Sequence, residues 1–130
     1  MMSGQKKKIL LVDDHEMARK ALKLYLEHQG YDCEEVDHGA AALKFLATHS
    51  DVHLVISDNR MPVMTGMEFL QQLKQQPLLQ TLPVILYSGN LVPEVSEQAW
   101  QLGAFAVLDK PYDFADLAAL VSRALESSQS

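Results

Sequence analysis

The chain has 130 residues, a length that fits one domain with a sizeable core and leaves no room for a second. No apolar run approaches the roughly 20 residues that cross a bilayer, and no signal-peptide core is present, so a cytoplasmic protein without membrane association is expected. The net charge of −6 argues against nucleic-acid binding, and the single cysteine, Cys33, excludes an internal disulfide.

Four short apolar runs and one weaker, charged strand candidate alternate with five stretches of helical periodicity. The strand-like runs are Ile9–Val12, Asp32–Val36, Val52–Ser57, Pro83–Tyr87 and Phe105–Leu108. The helical stretches span about His15–Gln29, Ala40–Thr48, Met67–Gln75 and Pro93–Leu102, and a last helix follows its expected cap, Asp113. The polar tail, Ser127–Ser130, is expected to fray. Strict alternation of strand and helix predicts an α/β fold, with one parallel sheet covered by helices on both faces.

The first helix and the second strand have distinctive local patterns. Asp14 stands where an N-cap is expected and Gly30 ends the helical pattern. Glu34 and Glu35 lie inside the second strand, which indicates an edge strand protected by charge rather than a central one. The helix itself is indicated by residues that recur at helical spacing, namely Met17, Ala21, Leu24 and Tyr25.

Polar residues stand at the carboxyl ends of four of these strands. They are Asp13 and Asp14 after the first, Asp58 at the third, Ser88 at the fourth and Lys110 after the fifth. Each has an ordinary explanation when taken singly, as a helix cap, a turn former or a surface charge. Because the carboxyl ends of parallel strands meet in one crevice, we expect all of them to lie together there.

This set of residues matches the chemistry of phosphoryl transfer. Three carboxylates repel one another unless a cation neutralises them, and Mg²⁺ is the cation that suits few carboxylates plus waters. A carboxylate beside a metal can attack phosphorus, while a hydroxyl and an ammonium contact the phosphoryl oxygens.

The order and spacing of these motifs resemble the receiver domain of two-component response regulators, over about residues 7–126. The motifs are Val12-Asp13-Asp14, Asp58 with Met61-Pro62 and Gly66, Ser88-Gly89 and Lys110-Pro111. The resemblance implies a flavodoxin-like (βα)5 fold, with a five-stranded parallel sheet in the order 2-1-3-4-5. It also implies a single receiver domain within residues 1–130, monomeric or weakly dimeric, with signalling rather than enzymatic activity.

The same resemblance implies roles for the site residues. Asp58 would accept a phosphoryl group from a sensor histidine kinase or a histidine phosphotransfer protein, and the switched domain would then bind a downstream protein that the sequence does not identify. Ser88 and Lys110 would contact the phosphoryl group, and the Lys110–Pro111 bond would be cis. Mg²⁺ would be held by Asp14 and Asp58 directly, by Asp13 through water and by the backbone carbonyl of Arg60.

The chain departs from the family pattern at several positions. Gly89 replaces the usual small apolar residue, while Arg60 and Asn90 occupy variable positions that influence how water reaches the acyl phosphate. Val107 stands where an aromatic residue often rotates inward on activation, and we expect Phe105 to share its side of the fifth strand, opposite Leu108. The histidines are expected at the surface, with His15 beside the acidic pair.

Two other classes of protein were weighed. A haloacid-dehalogenase phosphatase also uses an aspartyl nucleophile with Mg²⁺, but it needs a second acid two residues later, where this chain has Arg60. A flavin binder needs a hydroxyl- and glycine-rich loop after the first strand, where Asp13-Asp14-His15-Glu16 would repel the phosphate.

Overall fold

A computed structural model describes residues 6–89 and 93–127. Asn90 and most of the polar tail lie outside the described residues. The strands are β1 (Lys8–Val12), β2 (Asp32–Val36), β3 (Leu54–Asp58), β4 (Val84–Ser88) and β5 (Ala106–Asp109). The helices are α1 (Glu16–His28), α2 (Gly39–Thr48), α3 (Gly66–Lys74), α4 (Pro93–Gln101) and α5 (Phe114–Ser127), with a short 3₁₀ turn at Pro77–Leu79.

All five strands pair in parallel in the order β2-β1-β3-β4-β5, which confirms the predicted topology. Helices cover both faces of the sheet. One face, here the α1/α5 face, buries Leu22 and Leu26 of α1 with Leu117 and Val121 of α5. The other, the α2–α4 face, buries side chains of α2, α3 and α4 such as Phe69. Because both faces are covered, β3 and β4 are buried along their whole length.

Helix α1 turns only part of the stripe that indicated it inward: Tyr25 packs against the α1/α5 face, but most of the stripe does not. Leu22 and Leu26 are buried, whereas Met17 is 87% exposed and Leu24 is 72% exposed. Its N-cap is His15 and not the predicted Asp14, and no side chain caps it. Among the described residues no helix is long and apolar enough to cross a membrane.

The edge position of β2 agrees with its charged residues. Glu35 accepts a hydrogen bond of 2.7 Å from Arg19 Nε and one of 3.3 Å from Lys20 Nζ. Burial opposes ionisation of Glu35, but these bonds outweigh it and lower its pKa. Arg19 also donates through Nη1 to the backbone carbonyl of Asp13 at 2.7 Å, which ties α1 to the end of β1.

The start of β5 corrects one expectation. Val107 packs on the α2–α4 face, as alternation along a strand requires. Phe105, however, packs on the α1/α5 face together with Leu108, so it does not share the side of Val107. The reason is that β5 begins only at Ala106, so Phe105 precedes the extended backbone on which the alternation depends.

Candidate functional site

The predicted site residues meet at the carboxyl edge of the sheet. Asp58 and Ser88 are the last residues of β3 and β4, while Asp13 and Lys110 directly follow β1 and β5. The Lys110–Pro111 peptide bond is cis, as expected. The backbone N–H of Lys110 donates to the carbonyl of Ser88 at 2.9 Å, which joins the ends of the last two strands.

Four side chains form a compact cluster that offers metal ligands. Asp13, Asp14, His15 and Asp58 each supply one ligand atom, and these atoms all lie within 4.8 Å of one another. His15 Nδ1 lies 3.2 Å from Oδ1 of Asp13 and 3.2 Å from Oδ1 of Asp14. The same nitrogen lies 3.8 Å from Asp58 Oδ2, although the histidine side chain is 61% exposed. The sequence placed His15 beside the acidic pair, and the structure brings it into the cluster.

Asp58 is the most confined member of this cluster, with no exposed surface. Its Oδ1 lies 3.4 Å from Lys110 Nζ and accepts a 3.3 Å hydrogen bond from the backbone N–H of Arg60. Its Oδ2 is buried and has no hydrogen-bond partner among the described residues. Burial raises the pKa of Asp58; the Lys110 charge opposes this rise, and the nearby Asp13 charge adds to it.

This arrangement fits a divalent cation. Several carboxylates within one ligand shell repel one another and are costly to hold together. A hard cation with oxygen ligands removes this cost. Asp13, Asp14 and Asp58 are the oxygen donors that would hold it.

The loop after β3 keeps Asp58 in place through close backbone contacts. The N–H of Gly66 donates to the carbonyl of Asn59 at 2.9 Å, and Asn59 Oδ1 accepts from the N–H of Met67 at 2.9 Å. A Cβ atom on Gly66 would lie 2.6 Å from the carbonyl oxygen of Asp58, so only glycine permits this approach. Thr65 starts α3 with a capping box that involves Glu68.

Tyr87 is a site residue that the sequence analysis did not assign. Its hydroxyl donates to Asp13 Oδ2 at 2.6 Å, and its ring lies 5.0 Å from Lys110 Nζ. The sequence signal was a single tyrosine directly before Ser88, at the end of the otherwise aliphatic Val84–Leu86 run. Only the register of the sheet shows that this tyrosine reaches Asp13.

Comparison with known proteins agrees with the fold and the site. The family model of the response regulator receiver domain matches residues 9–122. The chain is 34% identical over 84% of its length to the two-component response regulator ORR13 of Oryza sativa subsp. japonica, of which it spans 90%. It is 36% identical over 93% of its length to the DNA-binding transcriptional regulator NtrC of Escherichia coli, of which it spans only 25%. The chemotaxis response regulator CheY4 of Vibrio cholerae superposes with a TM-score of 0.86 at 30% identity, covering 93% of this chain and 100% of that one.

The chain therefore belongs to the response regulator receiver domain family. It is a signalling domain of two-component systems, in which phosphorylation carries the signal, and the match gives no support to the phosphatase alternative. Receiver domains accept phosphoryl groups from histidine kinases and typically use Mg²⁺ at an acidic pocket. Asp13, Asp14 and Asp58 form an acidic cluster in this chain.

Proposed function

We propose that this domain is a phosphorylation switch in which Asp58 accepts the phosphoryl group. The observation that carries the proposal is the state of Asp58 Oδ2, a buried carboxylate oxygen with no hydrogen-bond partner among the described residues. The other oxygen of the same carboxylate is already engaged by Lys110 and by the N–H of Arg60. An oxygen that is free of donors keeps its electron pairs available for attack on phosphorus.

The phosphoryl group comes from a phosphohistidine on a sensor histidine kinase or a histidine phosphotransfer protein. The attacking Asp58 oxygen forms a bond to phosphorus, the bond between phosphorus and the histidine nitrogen breaks, and its electron pair remains on that nitrogen. The product is an acyl phosphate. Lys110 stays close enough to pair with the added charge, and the Ser88 hydroxyl hydrogen-bonds a phosphoryl oxygen, so positioning and charge supply the catalysis.

Mg²⁺ belongs to the same proposal. Asp14 and Asp58 would bind it directly, Asp13 would act through water, and the backbone carbonyl of Arg60 would be a further protein ligand. When bound, the ion neutralises charge on the phosphoryl oxygens.

The exposed stripe of α1 suggests where the phosphodonor binds. Met17 and Leu24 lie on the solvent side of this helix, which begins directly after the acidic cluster. A donor that packs on this stripe holds its phosphohistidine close to Asp58.

The phosphorylated domain then acts on a downstream protein. It does so as a single domain, residues 7–126, which is monomeric or weakly dimeric and lies in the cytoplasm. The net charge of −6 makes nucleic acid an unsuitable partner for this chain.

Incubation with acetyl phosphate and Mg²⁺ tests the acceptor. We expect the intact protein to gain the mass of one phosphoryl group, Asp58→Asn to gain none, and omission of Mg²⁺ to slow the reaction strongly. The matched control is Asp109→Asn, which changes an exposed aspartate at the end of β5 and keeps the adduct. A wild-type chain that stays unmodified, or an adduct that survives Asp58→Asn, would contradict the proposal.

A further inference from the structure

We propose that Tyr87 is a positioning residue of this site, whose hydroxyl fixes Asp13 for the metal ion while its ring supports Lys110. The inference rests on the proposed function, because it concerns how the Mg²⁺ pocket is held in shape. The resemblance to receiver domains assigned no role to this position. Three features of the described structure carry the argument: the register of the sheet, the bonds of Asp13 and the packing of the Tyr87 ring.

The register places Tyr87 in one row with the acidic residues. Asp58 on β3 is the register partner of Tyr87 on β4. On the other side of β3, Val12 is paired with Ser57, so one step further along both strands Asp13 lies beside Asp58. Because register partners on neighbouring strands point to the same side, Tyr87 and Asp58 project to the same face of the sheet. Tyr87 therefore reaches Asp13 along the side of Asp58 that faces α1 and α5.

Both oxygens of Asp13 are engaged. Oδ1 accepts from the backbone N–H of His15 at 2.9 Å, and Oδ2 accepts from the Tyr87 hydroxyl at 2.6 Å. Two bonds from opposite sides fix the plane of the carboxylate. Each carboxylate oxygen has two lone pairs, and Oδ1 also lies 3.2 Å from His15 Nδ1, so Oδ2 is the oxygen that can still accept one more bond, such as one from a metal-bound water. The direction of that additional bond is set by the two that are present.

The Tyr87 hydroxyl acts in this bond only as a donor. The phenol oxygen lies 2.6 Å from Asp13 Oδ2, a distance at which the phenol proton must lie between the two oxygens. The carboxylate of Asp13 is an acceptor whenever it is ionised. A short bond between a neutral hydroxyl donor and a charged acceptor is among the stronger hydrogen bonds in proteins.

The ring of Tyr87 holds a second site residue. Lys110 Nζ lies 5.0 Å from the ring centroid, within the range of a cation–π contact, and 3.4 Å from Asp58 Oδ1. The ring of Tyr112 packs against Tyr87 at a centroid distance of 5.5 Å, which limits rotation of the Tyr87 side chain. One side chain thus sets the position of a carboxylate and of an ammonium on two sides of Asp58.

If Tyr87 had only a packing role, loss of its hydroxyl would have a different effect on metal affinity. A buried tyrosine needs a hydrogen-bond partner, and loss of the hydroxyl would then lower stability without changing how the site binds metal. A positioning role requires that metal affinity fall as well. Removing a residue that orients a metal ligand typically weakens metal affinity about 10–100-fold.

The test compares Tyr87→Phe with Tyr112→Phe in the complete chain, with Mg²⁺ affinity measured from the dependence of the melting temperature on Mg²⁺ concentration. Tyr87→Phe keeps the ring under Lys110 and loses only the hydroxyl, whereas Tyr112→Phe removes a neighbouring hydroxyl that makes no hydrogen bond among the described residues. We expect an Mg²⁺ affinity about 10-fold weaker in Tyr87→Phe and unchanged in Tyr112→Phe. The rate of modification by acetyl phosphate should fall at low Mg²⁺ in Tyr87→Phe and recover when Mg²⁺ saturates the site.

Equal Mg²⁺ affinities in wild type and Tyr87→Phe would overturn the inference while leaving the proposed function intact; a wild type without Mg²⁺ binding would overturn the proposed function itself. A second measurement needs no variant. In wild type the buried Tyr87 hydroxyl proton should be visible by nuclear magnetic resonance and should persist when Mg²⁺ binds. Its loss on addition of Mg²⁺ would show that the bond to Asp13 belongs only to the metal-free site, and the positioning role would be wrong.

Discussion

The substitution Asp58→Asn should stabilise the metal-free protein while abolishing phosphorylation. Asp58 has no exposed surface, and its Oδ2 has no hydrogen-bond partner among the residues described. The wild-type protein must hold this charge among other carboxylates, whereas an amide of the same shape carries none. A residue required for function is thereby expected to lower the stability of the fold.

The size of the effect follows from the distances at the site. At an effective dielectric constant of about 20, the attraction to Lys110 Nζ at 3.4 Å amounts to about 5 kcal/mol. Ligand atoms of Asp13 and Asp14 lie within 4.8 Å, so their combined repulsion is at least about 7 kcal/mol on the same scale. The difference between these two charge contributions, about 2 kcal/mol, corresponds to a rise in melting temperature of roughly 6–10 °C for a chain of this length. Burial of the charge, which is the largest cause of the raised pKa of Asp58, adds to this penalty.

The assay is thermal unfolding at pH 7 in the presence of a chelator, with Asp109→Asn as the matched control at an exposed strand end. Titration adds a second signature. Because the pKa of Asp58 is raised in the folded protein, the wild type takes up a proton as the pH falls through that raised value, and the destabilisation caused by the buried charge disappears. The higher stability of Asp58→Asn relative to the wild type should therefore be fully present at neutral pH and vanish below the ordinary aspartate pKa of 3.8. Millimolar Mg²⁺ should raise the melting temperature of the wild type more than that of the variant.

An Asp58→Asn variant that melts at or below the wild-type temperature in chelator would refute this reasoning. It would mean that Lys110 and the N–H of Arg60 compensate the buried charge fully. A variant advantage that persists unchanged into acid would also refute it, because the cause would then lie outside the ionisation of Asp58.

Three further outcomes are expected from the same structure. Lys110→Ala should slow modification by acetyl phosphate about 100-fold by mass measurement, since charge stabilisation at the acceptor is lost; an unchanged rate would exclude that role. Gly66→Ala should lower the free energy of unfolding by about 1–3 kcal/mol in urea, because its Cβ would meet backbone 2.6 Å away, while Gly89→Ala, whose nearest neighbour is 3.8 Å away, should be neutral. Equal urea midpoints for Gly66→Ala and Gly89→Ala would contradict the expected clash at Gly66. Glu35→Gln should be less stable than wild type at pH 7, and the difference should shrink as the pH falls below 4.5 and through the lowered pKa of Glu35; a difference independent of pH would show that its ion pairs are not the cause.

The sheet was predictable because its signals are local. β3 and β4 are buried on both faces, so they appear in the sequence as unbroken apolar runs, and the polar residue that ends each run marks the functional edge. The edge position of β2 followed from Glu34 and Glu35, which a central strand does not accommodate. The order of the strands came from the family resemblance, since periodicity alone does not distinguish one parallel order from another.

Helix α1 shows where periodicity stops being informative. The helix has two stripes at helical spacing, one through Met17 and Leu24 and one through Leu22 and Leu26. Both stripes predict a helix, and only the second packs on the sheet. The choice depends on how β1 and β2 present their side chains, which is tertiary information. The stripe through Met17 and Leu24 stays exposed and is available for a partner. Its apolar residues are therefore explained by the proposed binding of the phosphodonor and not by packing on the sheet.

Contacts between distant parts of the chain account for the rest of what the sequence missed. Tyr87 and Asp13 are separated by 74 positions, and the sheet register brings them together. The same register explains how the site meets both faces of the sheet. Asp58 and Tyr87 project toward α1 and α5, whereas by alternation Ser88 projects to the opposite face, where Val107 packs. Ser88 therefore lies on the side of the sheet where the short, β-branched Val107 packs, while Asp13 and the larger ring of Tyr87 lie on the α1/α5 side.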